Sequence, residues 1–131
     1  MNRPFIDSNV VLYLLSADVS KADCAEAIVA AGGIVSVQVL NEVTSVCRRK
    51  LKMPWAEIEA VLAAVKSACN VVPLTLATHE AALEIAKRYE LSFYDANIFA
   101  AAILAGAEVL VTEDMQDGMV IERTAVRNPF A

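Results

Sequence analysis

The chain has 131 residues, 57% of them hydrophobic and 21% charged, which is the length of one domain with enough apolar content to build its own core, and this excludes intrinsic disorder. Four Gly and four Pro exclude a collagenous or low-complexity chain. The net charge of −5, from 16 acids against 11 bases, speaks against a protein that works through a broad basic surface. The mean hydropathy of +0.50 is high for a small monomer and predicts apolar surface covered by a partner or a second copy. Cys24, Cys47 and Cys69 are odd in number, widely spaced and without a CxxC pair. They read as buried thiols, reduced and inert in a reducing compartment, and a zinc site is not expected. The longest apolar run, Ile98 to Ala107, is too short to span a bilayer, and the start Met1-Asn2-Arg3-Pro4, leading directly into the first strand, predicts no signal peptide. A soluble, cytoplasmic protein is the expectation, read as a single domain over residues 1–131.

In chain order, Pro4-Phe5-Ile6 predicts a short strand that stops at the cap and turn residues Asp7-Ser8-Asn9. Val10 to Leu15 predicts a short buried helix. A second helix begins near Ser20 and ends at Gly32-Gly33. Ile34-Val35 is a second strand, and Ser36 caps a helix to about Leu51 with Val39, Leu40, Val43, Val46 and Cys47 at helical spacing. Pro54 suits the first turn of a helix to about Ala68. Val71 to Leu74 predicts a third strand, followed by a helix from about Thr78 to Tyr89. Ser92 opens the most apolar helix, which Gly106 ends. Val109-Leu110-Val111 is a fourth strand and Val120-Ile121 a short fifth. Strands that are short and apolar on both faces, alternating with helices, predict a three-layer α/β/α sandwich around a mainly parallel sheet. Sites in such sheets form just past the carboxyl ends of the strands.

Acids stand where that rule points. Asp7 follows the first strand, Glu42 lies on the helix after the second, Asp114 follows the fourth with Asp117 three residues on, and Asp95 sits in the first turn of the apolar helix. Each alone has a plain structural use. Asp7 or Ser8 can cap a helix, Asp95 completes a Ser92-x-x-Asp95 capping pattern, Glu42 can be a solvated helix residue, and Asp114 and Asp117 suit a turn before Gly118. Jointly they are harder to explain, because gathered carboxylates repel and burial raises the cost of their charge. A divalent cation offsets both, and an all-oxygen donor set favours Mg²⁺ or Mn²⁺ over Zn²⁺. Assigning Asp7, Glu42, Asp95 and Asp114 to one pocket leaves the remaining surface almost balanced in charge, so the global −5 no longer opposes a nucleic-acid substrate.

Phe5-Ile6-Asp7-Ser8-Asn9, the Ser36 to Glu42 segment, Phe93-Tyr94-Asp95-Ala96 and Leu110-Val111-Thr112-Glu113-Asp114 resemble, in order and across nearly the whole chain, the signature blocks of PIN domains. In its length and single-domain form the chain is most similar to the VapC-type toxins of toxin–antitoxin pairs. The resemblance implies a Mg²⁺- or Mn²⁺-dependent endoribonuclease with an RNA substrate and a cognate antitoxin as partner, while the high apolar fraction and two strongly apolar helices predict a homodimer. It implies that Asp7, Glu42, Asp95 and Asp114 are the catalytic acids that hold the metal, that Asn9 and Thr112 support them, and that Asp117 is an additional ligand. The general chemistry agrees. Phosphodiester hydrolysis through carboxylate-held metal needs no nucleophilic side chain, and none is evident, while one His excludes a His-pair ribonuclease. His79 reads as a surface residue.

Gln38, Glu42, Ser45 and Arg49 form one polar flank of their helix. Arg49 is a candidate for an RNA phosphate, although Arg48 to Lys52 can equally serve as a solvated helix end. Tyr94 and Trp55 read as packing residues, with base stacking and a dimer contact as their respective alternatives. An aspartyl-phosphate enzyme would need a late Lys, and none follows Lys87. Dinucleotide and P-loop folds fail for lack of a Gly-rich turn after the first strand. The rival from another class is a non-catalytic PIN-like module that binds RNA or protein.

Overall fold

The computed structural model describes residues 2–131. Six strands, β1 (Phe5–Ile6), β2 (Ile34–Ser36), β3 (Asn70–Val72), β4 (Val109–Val111), β5 (Val120–Ile121) and β6 (Thr124–Arg127), form one sheet in the order β3-β2-β1-β4-β6-β5. Every neighbouring pair is parallel except the β5–β6 hairpin. Six α-helices connect them: α1 (Ser8–Leu12, continued by a 3₁₀ turn over Tyr13–Leu15), α2 (Val19–Ala30), α3 (Val37–Arg49), α4 (Trp55–Ala68), α5 (Leu76–Tyr89) and α6 (Phe93–Leu104). Parallel neighbours need crossovers, and these are right-handed. The steps β1 to β2 to β3 run one way along the sheet and the step from β3 to β4 runs back, so α1–α4 cover one face and α5 and α6 the other. This agrees with the packing of α6 against β2, β4 and α5. The product is the three-layer α/β/α sandwich read from the strand–helix alternation. No helix among the described residues is long and apolar enough to cross a membrane.

The core follows from the sequence pattern. Phe5, Ile6, Val35, Leu110 and Val111 are fully or almost fully inaccessible because helices cover both sheet faces. Helix α6 is buried along Ala96–Ala102, as a helix apolar all round must be. Ser36 caps α3 by accepting from the Val39 amide, and Ser92 caps α6 by accepting from the Asp95 amide. The three cysteines are free. Cys47 and Cys69 are buried and burial pushes both thiols up, while Cys24 is partly exposed, which corrects its reading as a buried thiol.

Three local expectations need correction. Strand β6 was not anticipated: β5 and β6 join through Glu122-Arg123, with Glu122 at φ 54°, and this two-residue turn carries none of the Asn-Gly or Asp-Gly chemistry that signals a hairpin. Strand β3 starts at Asn70 and stops before Pro73, which has no amide to continue the ladder. Helix α5 starts at Leu76 rather than near Thr78, because Thr75 and Thr78 form a reciprocal capping box.

Gly33 opens β2 where the chain passes close to β1. A Cβ there would lie 2.7 Å from Ile6 Cδ1 and 2.8 Å from the Pro4 carbonyl oxygen, too close for either. Gly33→Ala is expected to destabilise the protein by about 1–3 kcal/mol through overpacking. Urea unfolding checks this as a lower midpoint at unchanged slope. A midpoint equal to the parent's would show that β1 yields at this contact.

Candidate active site

The order of connections reverses at β1 and β4, which lie side by side although one is near the start of the chain and the other near its end. A crevice opens past the carboxyl ends of strands at such a point. Asp7 leaves β1 there, with its amide donating to the Val111 carbonyl at 3.0 Å as if the strand continued. It is also the N-cap of α1, accepting from the Ser8 amide at 2.7 Å. The capping use and the site use thus coincide in one carboxylate. Asp7, Glu42, Asp95 and Asp114 all line one cleft, contributed by the end of β1, by α3, by the first turn of α6 and by the loop after β4.

Neutral donors stitch Asp7, Glu42 and Asp114 together. The Thr112 hydroxyl donates to Asp7 Oδ2 at 2.9 Å, and Asn9 Nδ2 lies 3.2 Å from the same oxygen and 3.1 Å from Asp114 Oδ2. The Ser8 hydroxyl donates to Glu42 Oε1 at 2.9 Å, and Gln38 Nε2 approaches Glu42 Oε2 at 3.4 Å. The Asp114 amide donates to Thr112 Oγ1 at 3.1 Å. Asp7 is only 3% exposed. Burial pushes its carboxyl from 3.8 up to about 6; the hydrogen bonds from Thr112 and Ser8 oppose the rise, and the charges of Glu42 and Asp114 add to it. Burial also raises Asp95, opposed by Ser92 and reinforced by Asp114.

Asn9 and Thr112 therefore touch the acids directly. Asp117 does not line the cleft: its Oδ1 accepts from the Asn128 amide at 2.8 Å. Arg49 is exposed at the end of α3 and is absent from the lining, where Lys50 stands instead, at i+8 from Glu42. Lys50 and the Ser8 bridge to Glu42 went unread in the sequence. The periodicity of α3 carried the Lys50 signal, since Glu42, Val46 and Lys50 share a face. Tyr94 is 69% exposed at the rim of the cleft, which corrects its reading as a core residue. Trp55 is 53% exposed under the Arg48 guanidinium, 4.8 Å from the ring centroid, and His79 is exposed.

The donor set is all oxygen and strongly negative, four carboxylates to one lysine, which suits a hard divalent cation. Among the described residues, no three acidic, His or Cys side chains are already drawn together as a closed metal cage. The hydrogen bonds from Asn9, Ser8 and Thr112 hold the carboxylates in that open arrangement.

The raised Asp7 carboxyl makes metal-free stability depend on pH. Between about pH 4 and pH 6 the native state binds more protons at this site than the unfolded chain. The contribution is therefore most favourable below the unfolded value of 3.8, is lost as pH rises through about 6, and is constant above. The loss is on the order of 3 kcal/mol for a shift of this size. Asp7→Asn is expected to flatten the slope of unfolding free energy over this window and to match or exceed the parent's stability at pH 7.5. An unchanged slope would assign the titration to another group.

The PIN domain family model matches residues 5–118. Among solved structures, a toxin–antitoxin complex from Klebsiella pneumoniae is similar at 22% identity and a TM-score of 0.73, over 96% of this chain and 97% of that one. VapC20 of Mycobacterium tuberculosis, a sarcin–ricin-loop-cleaving toxin, is similar at 23% identity and a TM-score of 0.63, over 81% and 85%. VapBC2 from Rickettsia felis, bound to a DNA fragment from its promoter, is similar at 19% identity and a TM-score of 0.62, over 84% and 86%. No curated protein matches the chain in sequence. The family match takes in every element that brings an acid to the cleft, and the chain belongs to the PIN domain family.

Proposed function

We propose that this PIN domain is a Mg²⁺- or Mn²⁺-dependent endoribonuclease and the toxin of a type II toxin–antitoxin pair, formed by residues 1–131 as one domain. The observation that carries the reading is the convergence of Asp7, Glu42, Asp95 and Asp114 on one cleft at the β1/β4 crevice, with Asp7 buried and, among the described residues, in no ion pair. The neighbours that include VapC20 and VapBC2 support the assignment to a toxin, its RNA substrate and an antitoxin partner. The free thiols support a cytoplasmic location. Exposed apolar side chains such as Val19, Leu76 and Val120 support a homodimer or antitoxin contact.

In this reading Asp7, Glu42, Asp95 and Asp114 hold the metal, and Asn9 and Thr112 keep Asp7 and Asp114 oriented. When bound, the divalent ion activates water and stabilises the charge that develops on the phosphate. Lys50 faces the same cleft and attracts the RNA phosphate that the acids would otherwise repel. It takes over the role first read for Arg49, which stays an outer contact for RNA. Tyr94 at the rim offers a ring for base stacking. Asp117 is held elsewhere by Asn128 and acts as a loop anchor.

A second reading, a PIN-like module that binds RNA or protein without cleavage, draws on the open arrangement of the carboxylates. One set of variants separates the two. In a nuclease, Asp114→Asn and Glu42→Gln keep their shape and lose charge, so the rise in melting temperature with Mn²⁺ shrinks sharply and cleavage of an RNA pool falls by about two orders of magnitude or more. Lys50→Gln raises KM for RNA more than it lowers kcat. The nuclease reading is abandoned if Asp7→Asn and Asp114→Asn keep both the parent's Mn²⁺ stabilisation and its cleavage.

A further inference from the structure

Asp114 is the one acid of the four that sits on an exposed loop outside regular structure, just beyond β4. Its position depends on what holds residues 112–114. One grip is Asn9, which accepts from the Glu113 amide through Oδ1 at 3.2 Å and donates to Asp114 Oδ2 at 3.1 Å. The second grip is on the Glu113 side chain, which accepts from the Tyr13 hydroxyl. Tyr13 lies four residues after Asn9, one turn along the same face, so α1 and the 3₁₀ turn that continues it clasp the loop at two points.

Tyr13 is itself fixed. Lys21 Nζ donates to its hydroxyl oxygen at 3.3 Å and stands 4.8 Å from its ring centroid. The Phe130 ring packs against it with centroids 4.6 Å apart at 60°. An ammonium can only donate and a carboxylate only accept, so the one phenolic proton is directed at Glu113. We infer that Tyr13 is a positioning residue that acts through Glu113 to fix Asp114 at the cleft. Tyr13 does not line the cleft, and Glu113 is the one acid of the Thr112 to Asp114 loop turned away from it. The consequence for metal binding rests on the nuclease reading; the consequence for loop order does not.

The test uses Tyr13→Phe, which keeps the ring and removes one oxygen, with Glu113→Ala and the double variant. Two readouts are taken on the full chain: amide hydrogen exchange at Glu113 and Asp114 without metal, and the Mn²⁺ concentration giving half of the maximal rise in melting temperature. Exchange in Tyr13→Phe is expected to quicken about tenfold as the loop opens more often. The Mn²⁺ midpoint is expected to rise about tenfold, the lower end for groups that orient a metal ligand. In the double variant it should rise no further than in the worse single variant, since both remove one interaction. Unchanged exchange in Tyr13→Phe overturns the inference, as do effects that multiply in the double variant, an unmoved midpoint where the parent responds to Mn²⁺, or a Tyr13→Phe protein that fails to fold. A parent that never responds to Mn²⁺ while Tyr13→Phe still loosens the loop removes the metal site and leaves the positioning role standing.

Discussion

A carboxylate that is almost wholly withdrawn from water, with no cation beside it, must collect hydrogen-bond donors or give up its charge. Asp7 does some of each: it gathers the Ser8 amide, the Thr112 hydroxyl and the Asn9 amide, and it still titrates far above an exposed aspartate. The arrangement of the cleft follows from that requirement. The donors come from α1 on one side and from the end of β4 on the other, so holding Asp7 also joins the first strand to the loop that carries Asp114. The strand order places these two ends together and the buried charge ties them.

The chemical type of those donors matters as much as their number. Asn9, Ser8 and Thr112 are neutral, so they set the spacing of the acids without cancelling their charge. An arginine or lysine in the place of Asn9 would satisfy the same oxygens and extinguish the field that draws a divalent ion. Lys50 stands at the lining of the cleft just past the end of α3, without a hydrogen bond to Asp7 or Asp114, and the interior therefore remains negative. A site tied by neutral groups keeps its negative charge for a ligand.

Much of the architecture was legible because its signals are local. Alternation of short apolar strands with helices, Ser36 and Ser92 as caps, and acids immediately after Phe5-Ile6 and Val109–Val111 need only neighbouring residues to be read. What escaped depended on distant partners. Strand β6 turns back through Glu122-Arg123, where the backbone is held by pairing rather than by turn residues. Tyr94 looked like a core aromatic from its place in an apolar helix, but it falls in the first turn, on the side that faces the cleft. Lys50 lies within the readable periodicity of α3, beside Arg49. The Ser8 bridge to Glu42 joins positions 34 apart in sequence, and no periodicity reports such a contact.

The pairing of β1 with β4 has a consequence for how the molecule comes into being. Asn9 and Asp114 are 105 residues apart in sequence, yet they share a hydrogen bond. Strand β4 is in turn flanked by β6, whose last residue is Arg127. During synthesis the chain emerges from its amino end, so Asp7 and Glu42 leave the ribosome before the strand that completes their cleft exists. Contacts this long in range form late, after the intervening crossovers have closed. The nascent chain therefore carries these acids unassembled until β4 and β6 have been made, and the crevice closes only then.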